Sequence, residues 1–391
     1  MEAYIVAGSR TAVGKAKRGG FRFTNPVDLA YYTIMDLLKR TPSLDPKRVD
    51  DLIVGNAVPE AEQGLQMARW IAIRSLPIEV PGVTVNRYCG SGLETIAMAT
   101  AKIKTGMADI IIAGGTESMS LVPTVGYKTA PDYEVANTHP EYYIGMGLTA
   151  ELVAAKYGVT REMQDEFSFN SHQKAIAAIE AGKFKDEIVP VDIEETYYDA
   201  AAGKKKTRKF TVAVDEGPRK DTTREALAAL KPAFKVGGSV TAGNSSQTSD
   251  GAAFVIVASE WAVKEFKLTP IARLITASSV GVDPTIMGIG PVSAVPKALK
   301  QAGLSLNDID LIELNEAFAA QAVAVTNELK LDKDILNVNG GGIALGHALG
   351  STGGRLTVQI INELKRRNKR YGLVTACIGG GQGIAGIIER L

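Results

Sequence analysis

The sequence predicts an α/β protein made of two similar halves, with an additional segment inserted in the first. Short apolar runs alternate with helical patterns along the 391 residues, which is typical of sheets covered by helices. Three short patterns recur in the same order in both halves. The stretch from about residue 118 to residue 243 matches neither half. A chain of this length is too long for one compact core, so two or three domains are expected.

The strands of the first half are predicted from its apolar runs. Residues 1–8 indicate a strand that enters a turn. Four further buried strands are predicted, at residues 52–55, 83–86, 110–113 and 254–257. Between Cys89 and Ile110, apolar residues at helical spacing predict a helix. Cys89 lies just ahead of the first turn of that helix.

The internal repeat consists of three pairs of segments. Residues 51–56 resemble 310–315, residues 84–86 resemble 337–339, and residues 110–115 resemble 374–380. One match would be noise, but three matches in the same order indicate a duplicated α/β unit. An active site is expected at the seam, built from loops of both halves.

The inserted segment carries one well-marked helix and one basic run. Residues 161–181 are predicted to be helical because Thr160 can cap the start, Glu162 suits the first turn and Gly182 follows the end. The basic residues 204–209 are interpreted as a solvated hairpin tip. The segment is expected to cover the site and to reach for a large ligand.

The bulk composition excludes several classes of function. Lys plus Arg number 44 and Asp plus Glu number 43, so no net field attracts nucleic acid or a membrane. Two cysteines and three histidines leave little for a structural zinc site. We find no secretory signal, no run long enough to span a bilayer and no usual peroxisomal address. A cytoplasmic protein with reduced thiols is expected, and a disulfide between the cysteines is not favoured.

Both cysteines follow an apolar run and enter a glycine-rich turn. Cys89 stands in Arg87-Tyr88-Cys89-Gly90-Ser91-Gly92, ahead of the predicted helix. The positive end of a helix and its free N–H groups favour the thiolate, which is the nucleophile. The alternative is a small buried residue at a strand end.

A reactive cysteine needs a base, and the histidines differ in context. His347 lies in the glycine-rich residues 340–350, at the position equivalent to the Cys89 turn, and is the predicted base. His172 is predicted at the surface of a helix, and His139 lies in a loop without glycines. A purely structural role for His347 is the alternative.

Three further residues complete the candidate site. Cys377, at the matching point of the last strand, is a candidate proton donor. Asn315 ends a strand and can present its amide to the site. The turns at Cys89 and Gly379 offer backbone N–H groups for an oxyanion hole. Neither the Gly-x-Gly-x-x-Gly pattern nor the P-loop pattern occurs, so nucleotide binding through those motifs is not expected.

These motifs together resemble the thiolase family. The resemblance rests on residues 86–92, 315–318, 346–350 and 377–381, with support from 241–246 and 281–284, and it extends along the whole chain. It implies two α/β halves, each with a five-stranded mixed sheet, in a layered αβαβα arrangement with an inserted loop domain. The implied boundaries are 1–117 with 249–269 for the first half, 118–248 for the loop domain and 270–391 for the second half.

The resemblance also implies roles for the site residues. Cys89 would be the acylated nucleophile, His347 its base and later that of coenzyme A, and Cys377 the acid/base. Asn315 would hold a water that binds one thioester oxygen together with His347, and the backbone at Cys89 and Gly379 would bind the other oxygen. The positions that line the coenzyme A channel in the family are Arg219, Ala242, Ser246, Met287 and Phe318. Ala348 stands where the family usually has proline.

The expected reaction is thiolytic cleavage of 3-ketoacyl-CoA by coenzyme A, as in fatty acid β-oxidation. Coenzyme A is a co-substrate, no tightly bound cofactor or metal is expected, and the resemblance implies a homodimer or homotetramer. Gly145 replaces a histidine of short-chain members, and residues 59–64 and 350–353 favour the degradative branch. The Cys-Gly-Ser-Gly turn favours the biosynthetic branch. The alternatives are an acetoacetyl-CoA thiolase working in the condensing direction, a decarboxylating ketoacyl synthase, and a non-catalytic lipid carrier of the same fold.

Overall fold

The computed structural model describes all residues, Met1–Leu391, in twelve strands and twelve α-helices. The strands are β1 (Ala3–Arg10), β2 (Gly14–Lys15), β3 (Asp51–Gly55), β4 (Gly82–Val85), β5 (Ile110–Ser118), β6 (Val191–Asp199), β7 (Lys204–Val212), β8 (Ser249–Ser259), β9 (Ala272–Gly281), β10 (Leu311–Leu314), β11 (Tyr371–Ile378) and β12 (Gln382–Arg390). The helices are α1 (Pro26–Arg40), α2 (Met67–Ser75), α3 (Ser91–Lys104), α4 (Tyr133–Thr138), α5 (Met146–Tyr157), α6 (Arg161–Glu180), α7 (Arg224–Ala228), α8 (Glu260–Glu265), α9 (Gly290–Ala302), α10 (Ala319–Glu328), α11 (Gly342–Leu345) and α12 (Thr352–Arg366). None of these helices has both the length and the apolar character needed to cross a membrane.

The strands confirm the duplicated α/β arrangement. The first half has the order β1-β8-β5-β3-β4 and the second has β9-β12-β11-β10, so each strand of the second half has a counterpart in the first. In both halves the first two strands of the order pair antiparallel, as β1 does with β8 and β9 with β12. Further along, β3 runs parallel to β5, and β10 runs parallel to β11. The counterpart of β4 is reduced to a single parallel bridge between Ile312 and Leu336. The second sheet therefore has four full strands rather than five.

Three apolar clusters lie between the five layers of helices and strands, and the middle cluster covers both sides of the central helices. The outer face of the first sheet packs on α1 and α2 through residues such as Leu52. The opposite face, with Ile53, packs on α3 and α12, which also contact the inner face of the second sheet. The outer face of the second sheet, with Ile312, packs on α9 and α10. Because adjacent strand residues face opposite sides, Leu52 and Ile53 belong to different clusters, and the resulting order is αβαβα.

The two central helices approach each other at their N-termini through glycines. A Cβ atom on Gly92 would lie 2.7 Å from the backbone nitrogen of Gly354 and 2.9 Å from the carbonyl oxygen of Gly350. Only glycine permits this approach. The contact brings the start of α3, which follows Cys89, beside the segment that follows His347.

The inserted segment lies between β5 and β8 in the chain. Helix α6 begins at Arg161 as predicted, where Thr160 Oγ1 accepts the N–H of Met163, and it ends at Glu180, one residue before the predicted end and two before Gly182, whose φ is +69°. The basic run was expected at a hairpin tip, but it lies along β7, which pairs with β6. Basic side chains of β7 pair with carboxylates on β6, as Lys209 does with Glu194 directly opposite. The three-part division of the chain stays a proposal.

Candidate active site

Cys89 lies in a strained turn between β4 and α3. The turn is the short 3-10 helix Tyr88–Gly90, and Tyr88 has a φ of +42°, which is uncommon for a residue with a side chain. The backbone N–H of Gly379 lies close enough to the Cys89 sulfur to lower the pKa of its thiol. This N–H comes from the turn after β11, so the nucleophile candidate and the oxyanion-hole candidate meet across the seam of the two halves.

Cys89 is partly buried, and desolvation is the largest influence on the pKa of its thiol. It raises the pKa of the thiol to about 11, the N–H of Gly379 lowers it, and the nearby negative charge of Glu117 raises it further. This upward direction is opposite to the effect of the helix N-terminus, which contributes only about 0.3–1 kcal/mol. The sequence led us to expect that the helix would favour the thiolate. The raised pKa favours the thiol form of Cys89, so its attack requires a base.

We expect the alkylation of Cys89 by iodoacetamide to accelerate steadily with pH. Since the thiolate fraction of a group with a pKa near 11 grows about tenfold per pH unit below that value, the rate should show no plateau between about pH 7 and pH 9. The Cys377→Ser variant leaves Cys89 as the only thiol, and adduct formation can be followed by mass spectrometry. A plateau near pH 7 would mean that the resting enzyme already holds a thiolate.

His347 is the base candidate that the structure brings to this seam. It follows α11, and its backbone N–H donates to the carbonyl of Gln247 at 3.2 Å and to Ser249 Oγ at 3.1 Å. The Asn315 amide nitrogen lies 3.2 Å from His347 Nε2, and Thr352 Oγ1 lies 2.7 Å from His347 Nδ1. Burial and the charge of Arg355 lower the pKa of His347 to about 3. A neutral imidazole is the form that accepts a proton.

Ala348 does not loosen the turn that follows His347. Its φ is −79°, close to the angle that a proline ring would fix, and its side chain is buried. The alanine therefore follows the backbone course that proline would impose.

Cys377 lies at the centre of an apolar cluster beside Cys89. It is fully buried in β11, in a cluster that includes Met287 and Phe318. Burial raises the pKa of the Cys377 thiol, and a charge on Cys89 raises it further. Asn315 is fixed beside the same strand because its N–H donates to the carbonyl of Thr375 at 2.9 Å. A protonated thiol in this place can donate a proton to a carbanion formed nearby.

Glu117 is a buried residue of the site that sequence reasoning missed. Its Oε2 accepts the N–H groups of Ala57 and Gly350, each at 2.8 Å. Its Oε1 accepts the side-chain amides of Gln63 at 2.8 Å and Asn56 at 3.1 Å. The carboxylate thus ties the loop after β3 to the turn after His347. A glutamate after two glycines at a strand end was the only signal for it in the sequence.

The coenzyme A candidates fall into two groups. Arg219 and Ala242 line a cavity of about 150 Å³, and the neighbours of Ser246 on both sides line it too. Met287 and Phe318 lie instead in the apolar cluster around Cys377. The two groups are linked, since the N–H of Ser246 donates to the carbonyl of Ala317 at 2.9 Å.

His172 was predicted at the surface, and this prediction is wrong. It is buried on α6, where its Nδ1 accepts the backbone N–H of Arg219 at 3.2 Å, and it lines the 150 Å³ cavity. Burial and the charges of Arg219 and Lys15 lower its pKa to about 4. The polar residues around it in the sequence suggested solvent, but the loop after β7 covers this face of α6. His139 is exposed, with Nδ1 at 3.2 Å from Glu141.

The segment at the start of α5 lies above the Gly379 turn. A Cβ atom on Gly379 would lie 3.7 Å from the sulfur of Met146, so Met146 is next to the oxyanion-hole candidate. A Cβ atom on Gly145 would meet no atom within 4 Å, whereas one on Gly147 would lie 2.1 Å from the ring of Phe234. Gly145 therefore leaves open space at this position, and Gly147 is required by packing.

Two family models match the chain, and together they cover nearly all of it. Residues 3–261 match the family described as "Thiolase, N-terminal domain" and residues 268–390 match "Thiolase, C-terminal domain".

Curated proteins and a solved structure resemble the chain along its whole length. It is 53% identical over 389 residues to the 3-ketoacyl-CoA thiolase of Bacillus subtilis, covering 99% of both chains. It is 46% identical to the acetyl-CoA acetyltransferase of Escherichia coli, covering 99% of this chain and 98% of the relative. The crystal structure of the Bacillus anthracis acetyl-CoA acetyltransferase superimposes with a TM-score of 0.89 at 40% identity, covering 100% of this chain and 99% of that one.

Proposed function

From the premise that this chain belongs to the thiolase family, we propose that it is an acyltransferase that cleaves 3-ketoacyl-CoA with coenzyme A. The products are acetyl-CoA and an acyl-CoA that is shorter by two carbons. The observation that supports this proposal is that the Tyr88–Gly90 turn, which holds Cys89, packs against the strand of Cys377 and against the segment 349–351 that follows His347, while the Asn315 amide lies 3.2 Å from His347 Nε2. These groups supply a nucleophile, a proton donor and a base for one covalent reaction.

The first half-reaction forms an acyl-enzyme. The Cys89 sulfur bonds to the 3-keto carbon while His347 accepts the thiol proton, and the N–H groups of Cys89 and Gly379 stabilise the oxyanion. The bond between carbons 2 and 3 then breaks, and its electron pair remains on the departing acetyl-CoA. Cys377 protonates this carbanion, while the charge on the thioester oxygen is stabilised at His347 and at a water held by Asn315.

The second half-reaction transfers the acyl group to coenzyme A. For the protons to balance, the proton that His347 took from Cys89 must first restore Cys377. His347 then accepts the thiol proton of coenzyme A, whose sulfur attacks the thioester carbon on Cys89. The Cys89 sulfur leaves and takes a proton from His347, which regenerates the resting site. We assign Arg219, Ala242, Ser246, Met287 and Phe318 to the channel that holds coenzyme A.

The space beside Gly145 supports substrates longer than acetoacetyl-CoA. We expect Gly145→His to lower kcat/KM for a medium-chain 3-ketoacyl-CoA about tenfold or more relative to that for acetoacetyl-CoA. An imidazole would fill room for several methylene groups, each worth about 0.8 kcal/mol when buried, and about 1.4 kcal/mol is a factor of ten. Thiolysis can be followed through the loss of the substrate's absorbance.

Gly145→Ala is the matched control, since its added Cβ lies in open space; it should keep the preference of the unaltered enzyme. If the unaltered enzyme already prefers acetoacetyl-CoA, the degradative assignment is wrong.

The second candidate is an acetyl-CoA acetyltransferase, which condenses or cleaves only short substrates. It is favoured by the names of the E. coli and B. anthracis relatives and by the Cys-Gly-Ser-Gly turn. We rank it below the degradative function because the B. subtilis relative is the most similar of the three and because Gly145, with no atom within 4 Å of its Cβ position, stands where short-chain members have a histidine. The same comparison of substrates decides between them.

We also propose that the enzyme is a homodimer or homotetramer that works in the cytoplasm. The edge strand β4 is only half-buried, and Trp70 and Ile78 beside it are 52% and 69% exposed. An open strand edge with apolar neighbours is commonly covered by another chain. Sedimentation analysis tests the assembly, and cell fractionation tests the location.

A further inference from the structure

A chain of hydrogen bonds extends behind His347, on the side away from Asn315. His347 Nδ1 lies 2.7 Å from Thr352 Oγ1, and the Thr352 hydroxyl lies 2.9 Å from the carbonyl oxygen of Ala348. All three residues are buried. Solvent therefore offers no substitute for either contact.

The carbonyl of Ala348 determines which groups donate and which accept in these hydrogen bonds. A carbonyl oxygen can only accept, so the Thr352 hydroxyl donates its proton to Ala348. The lone pairs of Thr352 Oγ1 then face His347, and Nδ1 must be the nitrogen that carries hydrogen. Nε2 is left unprotonated, and the amide N–H of Asn315 can donate to it at 3.2 Å.

The opposite tautomer is also available at the Asn315 end. Asn315 Oδ1 is buried and has no hydrogen-bond partner. If the Asn315 amide rotated by half a turn, Oδ1 could accept a proton from Nε2, and Nδ1 would then need a donor. In that arrangement Nε2 could not act as a base. The Asn315 side therefore permits both tautomers, and only the Thr352 side selects one.

We propose that Thr352 is a positioning residue, which fixes His347 in the tautomer with hydrogen on Nδ1 and so keeps Nε2 without hydrogen, the form that can accept the proton of Cys89 or of coenzyme A. The inference rests on the proposed role of His347 as a base. Thr352 itself touches neither substrate nor reacting atom and acts only through the imidazole.

Three variants separate this role from simple packing. Thr352→Val keeps the side-chain shape but removes the hydroxyl, whereas Thr352→Ser keeps the hydroxyl. Thr357→Val is the matched control, because Thr357 is buried on the same helix and its hydroxyl donates to the carbonyl of Gly353 at 2.8 Å. It loses the same kind of bond without touching His347.

We expect Thr352→Val to lower kcat for thiolysis about ten- to a hundredfold with KM little changed, as for other residues that orient a functional side chain. Thr352→Ser should recover most of kcat, and Thr357→Val should leave it within about twofold.

The tautomer can be read directly and without turnover. The chain has only three histidines, so histidine labelled with ¹⁵N gives few signals, and a His347→Asn variant assigns those of His347. The unaltered protein should show Nδ1 bearing hydrogen and Nε2 without it, and Thr352→Val should shift this balance towards hydrogen on Nε2.

The tautomer and the thiolysis rate together show whether the role of Thr352 or the role of His347 is wrong. If the unaltered protein shows hydrogen on Nε2, or if Thr352→Val changes neither the tautomer nor kcat, the positioning role is wrong while the proposed function stands. If His347→Asn thiolyses at the unaltered rate, the assignment of His347 as base is wrong, whatever the tautomer.

Discussion

Replacing Cys89 by serine is expected to lower thiolysis about 10⁴-fold or more, which is the order of loss seen when a covalent nucleophile is removed. The serine hydroxyl is a far weaker acid and nucleophile than the thiol, and the neutral His347 is too weak a base to compensate. The acyl-enzyme should not form. The rate of acetyl-CoA release from a 3-ketoacyl-CoA measures this loss.

Cys89→Ser should leave the fold intact. Serine differs from cysteine by one atom, and Cys89 is only partly buried in a turn that other residues hold. Ser91 Oγ donates to the carbonyl of Tyr88 at 2.7 Å and accepts the N–H of Arg87 at 2.8 Å. An unchanged thermal transition is the control. A variant that retains a tenth of the original rate would exclude Cys89 as the nucleophile.

Replacing Cys377 by serine is expected to separate the two chemical roles. The variant should still acylate Cys89 slowly from an acyl-CoA, because the nucleophile and its base are intact. Exchange of the methyl protons of acetyl-CoA in heavy water should fall about 10²–10⁴-fold, the usual contribution of a positioned acid/base. The serine hydroxyl cannot cycle its proton as a thiol can. Nuclear magnetic resonance of the acetyl methyl group follows the exchange.

The reciprocal variant provides the comparison for this experiment. Cys89→Ser removes acylation but keeps the Cys377 thiol, so it should retain part of the proton exchange. If Cys377→Ser exchanges the methyl protons at the unaltered rate, then another group is the acid/base.

Much of the fold could be predicted from the sequence because its signals are local. Buried strands with continuous apolar runs, such as β3 and β5, and the capped helix α6 need no knowledge of distant residues. The order of the repeated segments also predicted which strands are equivalent. In the second half, the counterpart of β4 is reduced to one bridge at Leu336 beside β10. This reduction was not predictable, since an edge strand depends on weak pairing at its open side.

The site residues could be predicted where glycine-rich turns indicate them in the sequence. Their environment could not be predicted where it depends on contacts with distant segments. The glycines around Cys89 and His347 point to close contacts, and Gly92 against Gly354 is such a contact. The surroundings of Cys89 come from both halves together, and they raise the pKa of its thiol where a local helix argument predicts a lower one. The burial of His172 and the role of Glu117 were not predicted for the same reason, because the segments that surround them are far away in the chain.

Peptide mass analysis tests most directly whether catalysis proceeds through an acyl group on Cys89. The unaltered enzyme would be mixed with a 3-ketoacyl-CoA in the absence of free coenzyme A, quenched in acid and digested. We expect the shortened acyl group on the peptide with Cys89, and we expect added coenzyme A to remove it. An acyl group on Cys377, or no acylated peptide while acetyl-CoA is released, would exclude an acyl-enzyme on Cys89.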